Sequence, residues 1–355
     1  MMFNKMEHRK PNTDLYNVPF TMTEGPDGTP YRRLGNSGLK ASSVGLGAWK
    51  FGYPETNDES RTDEATSLNI LDRALELGVT FWDTANRYHN ASGNSERIIG
   101  TWFSHNADRR RDVVLATKVA GGMDGRTPNH GGLSRTNILE SVYACLERLQ
   151  TDHIDLLYFH CADDTTPIDE SLTAVDDLIR EDTVRYFGVS TFTVAGLKQY
   201  GECIDTIGPR CRIVAVQNKF DMLNGESPGE SNVLAYAADV GISMVPYSPL
   251  AGGLLTDRYL EPEKAKAGDR LVDEKVLDKV ATPEVLARLR KLATLAEEWE
   301  MELSQLALAY TLSLPGMGPV IPSPSTVGQL ETNATAAKIA LSDEQKSRVA
   351  EIGAG

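Results

Sequence analysis

The chain has no apolar run approaching the length of a bilayer span, and its first residues lack the apolar core of a secretory signal. Membrane insertion is therefore not expected, and the cytoplasm is the expected compartment. Cysteine is sparse: Cys145, Cys161, Cys203 and Cys211 show neither metal-type nor redox-type spacing. They read as reduced thiols in the core or on the surface, which argues against a disulfide-stapled scaffold. Positive charge is in deficit, with 36 Lys and Arg against 50 Asp and Glu and a net charge of −14. No Lys/Arg-rich stripe interrupts that balance, so nucleic acid is not an expected partner. The histidines form neither a His-x-His nor a His-Glu-x-x-His pattern, and no bound metal is expected. Also missing is a Gly-x-Gly-x-x-Gly turn after the first strand, where Gly45-Leu46-Gly47-Ala48-Trp49-Lys50 stands instead.

What is present is a long alternation of apolar runs and helical periodicity. At 355 residues, with 41% hydrophobic and 24% charged side chains, the chain can bury one sizeable core. Residues 1–30 are polar and aperiodic and read as an extension. Residues 31–42 read as a hairpin around Asn36-Ser37-Gly38. Strands are then expected at 44–47, 80–84, 112–119, 154–160, 184–190, 213–220, 243–247 and 319–321. Helices are expected at 63–77, 95–104, 134–150, 169–180, 194–203 and 232–240, and later at 283–300, 304–314 and 326–338. The strand runs are apolar throughout, the pattern of parallel strands covered on both faces. Eight such units favour an α/β fold closed as a (β/α)8 TIM barrel over a doubly wound sheet. An N-terminal β-hairpin precedes it and a long insertion follows the seventh strand. Residues 31–355 read as a single domain.

Catalytic groups of such barrels sit at the C-terminal strand ends. Phe81-Trp82-Asp83-Thr84-Ala85-Asn86-Arg87-Tyr88 ends an apolar run in an acid and adds a tyrosine five positions on. Two later runs end in Lys118 and His160. Singly, each fits an ordinary role: a capping aspartate, a lysine reaching for solvent, a structurally satisfied histidine. Together they form a proton-transfer site. Lys118 follows Val113-Val114-Leu115-Ala116-Thr117 into a poorly solvated mouth, and a buried cation needs an anion, which Asp83 would supply.

The motifs resemble those of the aldo-keto reductases from about Tyr31 to Leu341. Asp-Thr-Ala-Asn-Arg-Tyr, Leu-Ala-Thr-Lys and Tyr-Phe-His carry the family's tetrad on Asp83, Tyr88, Lys118 and His160. Gly188-Val189-Ser190, Val216-Gln217-Asn218 and Pro246-Tyr247-Ser248-Pro249-Leu250-Ala251-Gly252-Gly253 match as well. Gly132-Leu133-Ser134-Arg135 and Leu146-Glu147-Arg148-Leu149-Gln150 resemble the branch of potassium-channel β subunits and bacterial glyceraldehyde-type reductases. The resemblance implies a barrel that reduces aldehydes or ketones, or oxidises the alcohols, with hydride from a nicotinamide. Tyr88 would give the proton, its pKa lowered from about 10 by Lys118, with Asp83 holding Lys118 and His160 polarising the substrate oxygen.

The same resemblance implies the cofactor contacts. Ser190 and Gln217 would hold the nicotinamide carboxamide, with Asp83 beside them, and Tyr247 would stack on the ring. Thr191 follows Ser190 where many members have Asn. Ser248, Leu250 and Gly252 would approach the pyrophosphate, and Ser325, Gln329 and Asn333 the adenosine end. Residues 321–329 carry no basic side chain, so a 2′-phosphate would be met by Arg258 or Arg270. NADP is the expected cofactor and NAD the alternative. Trp49 would wall the pocket against both cofactor and substrate, Tyr88 and His160 would touch the substrate, and Phe51, Tyr53 and Asn86 are candidates for the mouth. The glycine-rich loop 121–132 reads as a lid, and the polar mouth leans toward sugar-like or short polar carbonyl compounds. A nucleotide-binding partner subunit with little turnover is the alternative function, and a homo-oligomer is compatible with either.

Overall fold

The structure is a computed structural model that describes residues 23–25, 28–90, 93–123 and 125–353. Most of the expected N-terminal extension, residues 1–22 and 26–27, lies outside them. Strands β1 (Tyr31–Arg33) and β2 (Lys40–Ser42) pair antiparallel across the turn, in register from Tyr31 opposite Ser42 to Arg33 opposite Lys40. Leu34 and Ala41 of this hairpin are buried against Phe81, Ala116, Leu156 and Val245, so it closes the lower end of the strand assembly.

Strand and helix then alternate: β3 (Leu46–Gly47), α1 (Glu64–Glu76), β4 (Phe81–Asp83), α2 (Asn94–His105), β5 (Val114–Val119) and α3 (Arg135–Leu149). The series continues with β6 (Ile154–Phe159), α4 (Ile168–Arg180), β7 (Val184–Ser190), α5 (Val194–Ile207), β8 (Ile213–Asp221), the two-residue β9 (Gly225–Glu226), α6 (Val233–Val240) and β10 (Ser243–Tyr247). Short helices α7 (Arg270–Asp273) and α8 (Leu277–Val280) lie in the stretch after β10. They lead to α9 (Pro283–Glu298), α10 (Leu303–Ser313), α11 (Val327–Thr335) and α12 (Asp343–Gly353). Local chemistry sets several boundaries. The side chains of Asp63, Ser134, Thr193, Thr282 and Thr326 each accept a backbone N–H in the first turn of α1, α3, α5, α9 and α11.

The sheet runs β10-β8-β7-β6-β5-β4-β3, each neighbour parallel. Its two edges are joined through residues 316–322. Val44 bridges Val320 in parallel fashion and Met244 bridges Met317, with Gly47 N–H donating to the Pro322 carbonyl at 2.9 Å. The strand expected at 319–321 is therefore two isolated bridges. Pro319 and Pro322 have no N–H to give a regular ladder. Helix α12 has no counterpart in the expected elements. Its start is a reciprocal cap, in which Ser342 N–H donates to Gln345 Oε1 at 2.8 Å and Gln345 N–H to Ser342 Oγ at 3.1 Å.

The main apolar core lies between the strands and the helices around them, with Trp82, Phe103, Leu115, Leu157 and Phe187 all buried. Inside the strands is a second cluster, and Gly188 makes room there. A Cβ on Gly188 would stand 2.6 Å from the Tyr158 ring and 2.8 Å from the Ala215 carbonyl. Two residues further, the backbone turns sharply: Thr191 adopts φ +58°, a left-handed conformation that crowds a β-branched side chain. Asparagine tolerates that region far better. Thr191→Asn is expected to raise stability by about 1 kcal/mol, read as a higher urea midpoint at unchanged m. An unchanged or lower midpoint contradicts the strain argument.

Candidate active site

Side chains on a strand alternate between faces, so inward residues recur every second position. In β4 to β8 and β10 the inner pairs run Phe81 then Asp83, Ala116 then Lys118, Tyr158 then His160, Gly188 then Ser190, Ala215 then Gln217, and Val245 then Tyr247. The deeper member is apolar or small, apart from the Tyr158 phenol, and belongs to the inner core. The outer member is polar and borders one cavity of about 800 Å³. That volume suits a small-molecule site. Six strands thus deliver six polar groups to one rim, and Tyr88 joins them from the loop after β4.

At the floor of the cavity Lys118, 1% exposed, gives each hydrogen of its ammonium a partner. Nζ lies 2.6 Å from Asp83 Oδ1, 2.8 Å from the Thr84 carbonyl and 2.7 Å from the Tyr88 phenol oxygen. Asp83 Oδ1 also accepts from Tyr88 OH at 3.3 Å, and its Oδ2 accepts from Gln217 Nε2 at 2.8 Å. Because Asp83 can only accept, the amide of Gln217 must face it with nitrogen, leaving its oxygen for another donor. His160 stands edge-on to the Tyr88 ring, centroids 6.0 Å apart.

Electrostatics at this cluster departs from expectation in one respect. Lys118 was expected to lower the Tyr88 pKa. Instead burial first, and then the charge and hydrogen bond of Asp83, hold that phenol well above its ordinary value. The ammonium is already neutralised by a carboxylate at 2.6 Å, so Tyr88 sees a dry, slightly anionic setting. Burial also pulls Lys118 below the usual lysine value, with Asp83 opposing. His160 is lowered to about 3 by burial, then by the charges of Lys118 and Arg87, and is a neutral imidazole at physiological pH.

The other expected contacts divide into two groups. Trp49, Ser190, Gln217, Tyr247, Ser248, Leu250, Gly252, Arg258, Arg270, Gln329 and Asn333 all border the cavity. Ser325 does not; its hydroxyl turns to Gln329 Oε1 at 3.2 Å. Arg258 pairs with Asp269 at 3.2 Å and Arg270 with Glu274 at 2.7 Å. Arg270 also covers the Trp49 ring at 4.4 Å, and the His89 ring tilts against Trp49 at 4.8 Å. Ser248, Ala251, Gly252 and Gly253 all have positive φ, which bends the loop after β10 into the rim.

Three further expectations fail. Phe51 and Asn86 are fully buried away from the cavity, and the Tyr53 hydroxyl donates to Glu64. The chain folds back at Phe51 to bridge Thr62, and the Asn86 N–H is tied to the Lys118 carbonyl, which turns both inward. No described residue of loop 121–132 borders the cavity either.

Lys50 was missed. It lies at the rim beside Ser325 Oγ at 3.4 Å, and its pKa falls to about 7 through burial and then the charges of Arg270, Arg61 and Arg258. The sequence signal was weak: a lysine after Trp49 looks ordinary until distant arginines converge on it.

The family model "Aldo/keto reductase family" matches residues 43–354. An uncharacterized oxidoreductase, YrpG, of Bacillus subtilis (strain 168) is 36% identical, over 88% of this chain and 93% of its own. A probable voltage-gated potassium channel subunit beta of Arabidopsis thaliana is 32% identical, over 87% of this chain and 91% of its own. The versiconal hemiacetal acetate reductase of Aspergillus parasiticus is 31% identical, over 82% and 88% respectively. The family implies a (β/α)8 barrel, in keeping with the curled parallel sheet and its joined edges. On the match across residues 43–354, the chain belongs to the aldo/keto reductase family.

Proposed function

We propose that this protein is an NAD(P)(H)-dependent oxidoreductase that interconverts an aldehyde or ketone and its alcohol, Tyr88 giving the proton in reduction. The observation that carries this reading is the hydrogen-bonded set of Asp83, Lys118 and Tyr88 on the floor of the cavity, with a neutral His160 alongside. Residues 31–355 are read as one catalytic domain, with residues 316–322 as the eighth member of the barrel.

The rim fits a dinucleotide. Tyr247 is half-buried and offers a face, Gln217 keeps a free amide oxygen for a carboxamide N–H, and Ser190 stands next to it. The positive-φ turn at 248–253 exposes backbone to a pyrophosphate. Lys50, with no carboxylate bonded to it among the described residues, is a half-buried cation suited to a phosphate, with Arg258 and Arg270 nearby. This cluster favours NADP over NAD. When bound there, the nicotinamide supplies hydride to the carbonyl carbon.

The chain's own residues manage the oxygen. His160, neutral, donates its N–H to the carbonyl oxygen and polarises it. Tyr88 OH passes its proton to that same oxygen. The phenolate left behind is received by Lys118 Nζ, already 2.7 Å away, so little rearranges as charge develops. Asp83 and Gln217 keep Lys118 from following the proton. The polar rim supports small polar carbonyl compounds as substrates. The kinship to channel β subunits supports a second reading, a nucleotide-binding partner with little turnover. An absorbance assay of NADPH and NADH consumption across sugar, aliphatic and aromatic aldehydes separates the two; no turnover with any of them defeats the enzyme reading.

Tyr88→Phe is expected to lower the reduction rate about 100-fold or more while the dinucleotide Kd changes by less than about twofold. A variant retaining full rate would remove Tyr88 from the role. A phenol held above its ordinary pKa stays protonated through neutral pH. Reduction should therefore be flat there, and alcohol oxidation, which needs the phenolate as base, should climb into the alkaline range. A flat oxidation profile contradicts the raised phenol. Lys50 offers a second pH test. Free, it titrates at about 7; a bound phosphate would raise that value, so dinucleotide affinity should fall as pH rises above about 7. Lys50→Met should weaken NADP about tenfold and abolish the slope, measured by fluorescence titration. A slope that survives the substitution belongs to another group.

A further inference from the structure

Arg87 immediately precedes Tyr88 and borders the cavity, yet nothing in the mechanism above employs it. It is exposed, and among the described residues no carboxylate or other hydrogen-bond acceptor is paired with its guanidinium. The other arginines at the rim, Arg258 and Arg270, have acidic partners. The stem of Arg87 lies along Gly121, where an added Cβ would stand 2.6 Å from Arg87 Cδ, so the glycine leaves a shelf for the side chain. Its charge reaches the reacting end of the pocket, where it contributes to keeping His160 neutral. The cavity as a whole has five lysines and arginines against three acids, in a chain whose net charge is −14. Lys50 lies beside Ser325, on the side assigned to the dinucleotide, and the charges of Arg258 and Arg270 act on it. Arg87 lies on the side of Tyr88 and His160.

We propose that Arg87 selects carbonyl substrates carrying a carboxylate or phosphate, which its guanidinium receives while the carbonyl oxygen lies between Tyr88 and His160. The inference rests on the oxidoreductase reading for its kinetic form. The chemistry is the fork-shaped guanidinium, which matches both oxyanions with two parallel N–H donors. Substrate entering the mouth would displace water from an otherwise solvated cation, so a moderate effect is expected rather than that of a fully buried pair.

The test compares matched pairs: 4-oxobutanoate with butanal, and glyceraldehyde 3-phosphate with glyceraldehyde. The wild-type protein should prefer at least one anion to its neutral partner by about tenfold in kcat/KM, equivalent to about 1.4 kcal/mol. Arg87→Ala should erase that ratio, chiefly through KM, and Arg87→Lys should restore part of it. Whichever pair responds decides between carboxylate and phosphate. A wild-type ratio near one, or a preference that survives Arg87→Ala, overturns the proposal and leaves the oxidoreductase reading standing. If none of the four compounds is turned over, the oxidoreductase reading is judged on the wider aldehyde panel. The proposal is then decided by tryptophan-fluorescence titration with 4-oxobutanoate and with inorganic phosphate in the presence of NADP. Tighter binding to wild type than to Arg87→Ala sustains it, and equal binding rejects it.

Discussion

The site depends on a lysine ammonium and an aspartate carboxylate held out of water. Burying each ion costs several kcal/mol, and their attraction offsets this only when the remaining hydrogen-bonding capacity is filled. Here it is filled. Lys118 has Asp83, the Thr84 carbonyl and Tyr88; Asp83 has Lys118, Tyr88 and Gln217. Every neighbour that neutralises the pair is thereby fixed in position. The arrangement orders Tyr88 at the end of a loop that would otherwise have little reason to adopt one conformation. The same demand explains why Gln217, separated from Lys118 by the two intervening strands β6 and β7, must present its nitrogen inward.

Much of this was legible because strand periodicity carries position. Once Asp83, Lys118, His160, Ser190, Gln217 and Tyr247 each end an apolar run, parity alone directs them to one face, and parallel order directs them to one end. What parity cannot describe is a loop. Phe51 and Asn86 were assigned to the mouth from proximity in sequence, but a bridge to Thr62 and a backbone bond to Lys118 turn them inward. Lys50 was overlooked for the complementary reason. Its character comes from Arg61, Arg258 and Arg270, brought to it by tertiary folding. Helix α12 was available in principle, since Ser342 and Gln345 form a capping box readable from the sequence. The eighth strand was read at the right place but with too much regularity, because prolines and glycines around Val320 leave isolated bridges.

The electrostatic expectation for Tyr88 failed for an instructive reason. A cation next to a phenol lowers its pKa only if the cation's field is free to act, and Asp83 consumes most of it at 2.6 Å. The pair is nearly neutral seen from Tyr88, so desolvation dominates. On the proposed mechanism Lys118 would still matter, as a donor that receives the developing phenolate rather than as a charge that creates it in advance. A preorganised donor of this kind acts on the transition state and leaves the resting acid intact, which is the direction carbonyl reduction requires.

Charge on a larger scale follows the same logic of distance and medium. Whatever part of the net −14 stands in solvent is screened by ions within about 8 Å at physiological ionic strength. The cations of the cavity act over shorter distances and through less water, so a small local excess outweighs a large remote deficit there. Lys50 lies beside Ser325, and Arg87 borders the same cavity next to Tyr88 in the chain. Each lacks a carboxylate partner among the described residues, whereas Lys118 is fully matched. An anionic dinucleotide and an anionic substrate would each find a separate positive contact, and neither would need to draw Lys118 away from Asp83. On the proposed readings, recognition of charge and transfer of the proton would fall to different cations, so strong binding at the rim would not disturb the pair on the floor.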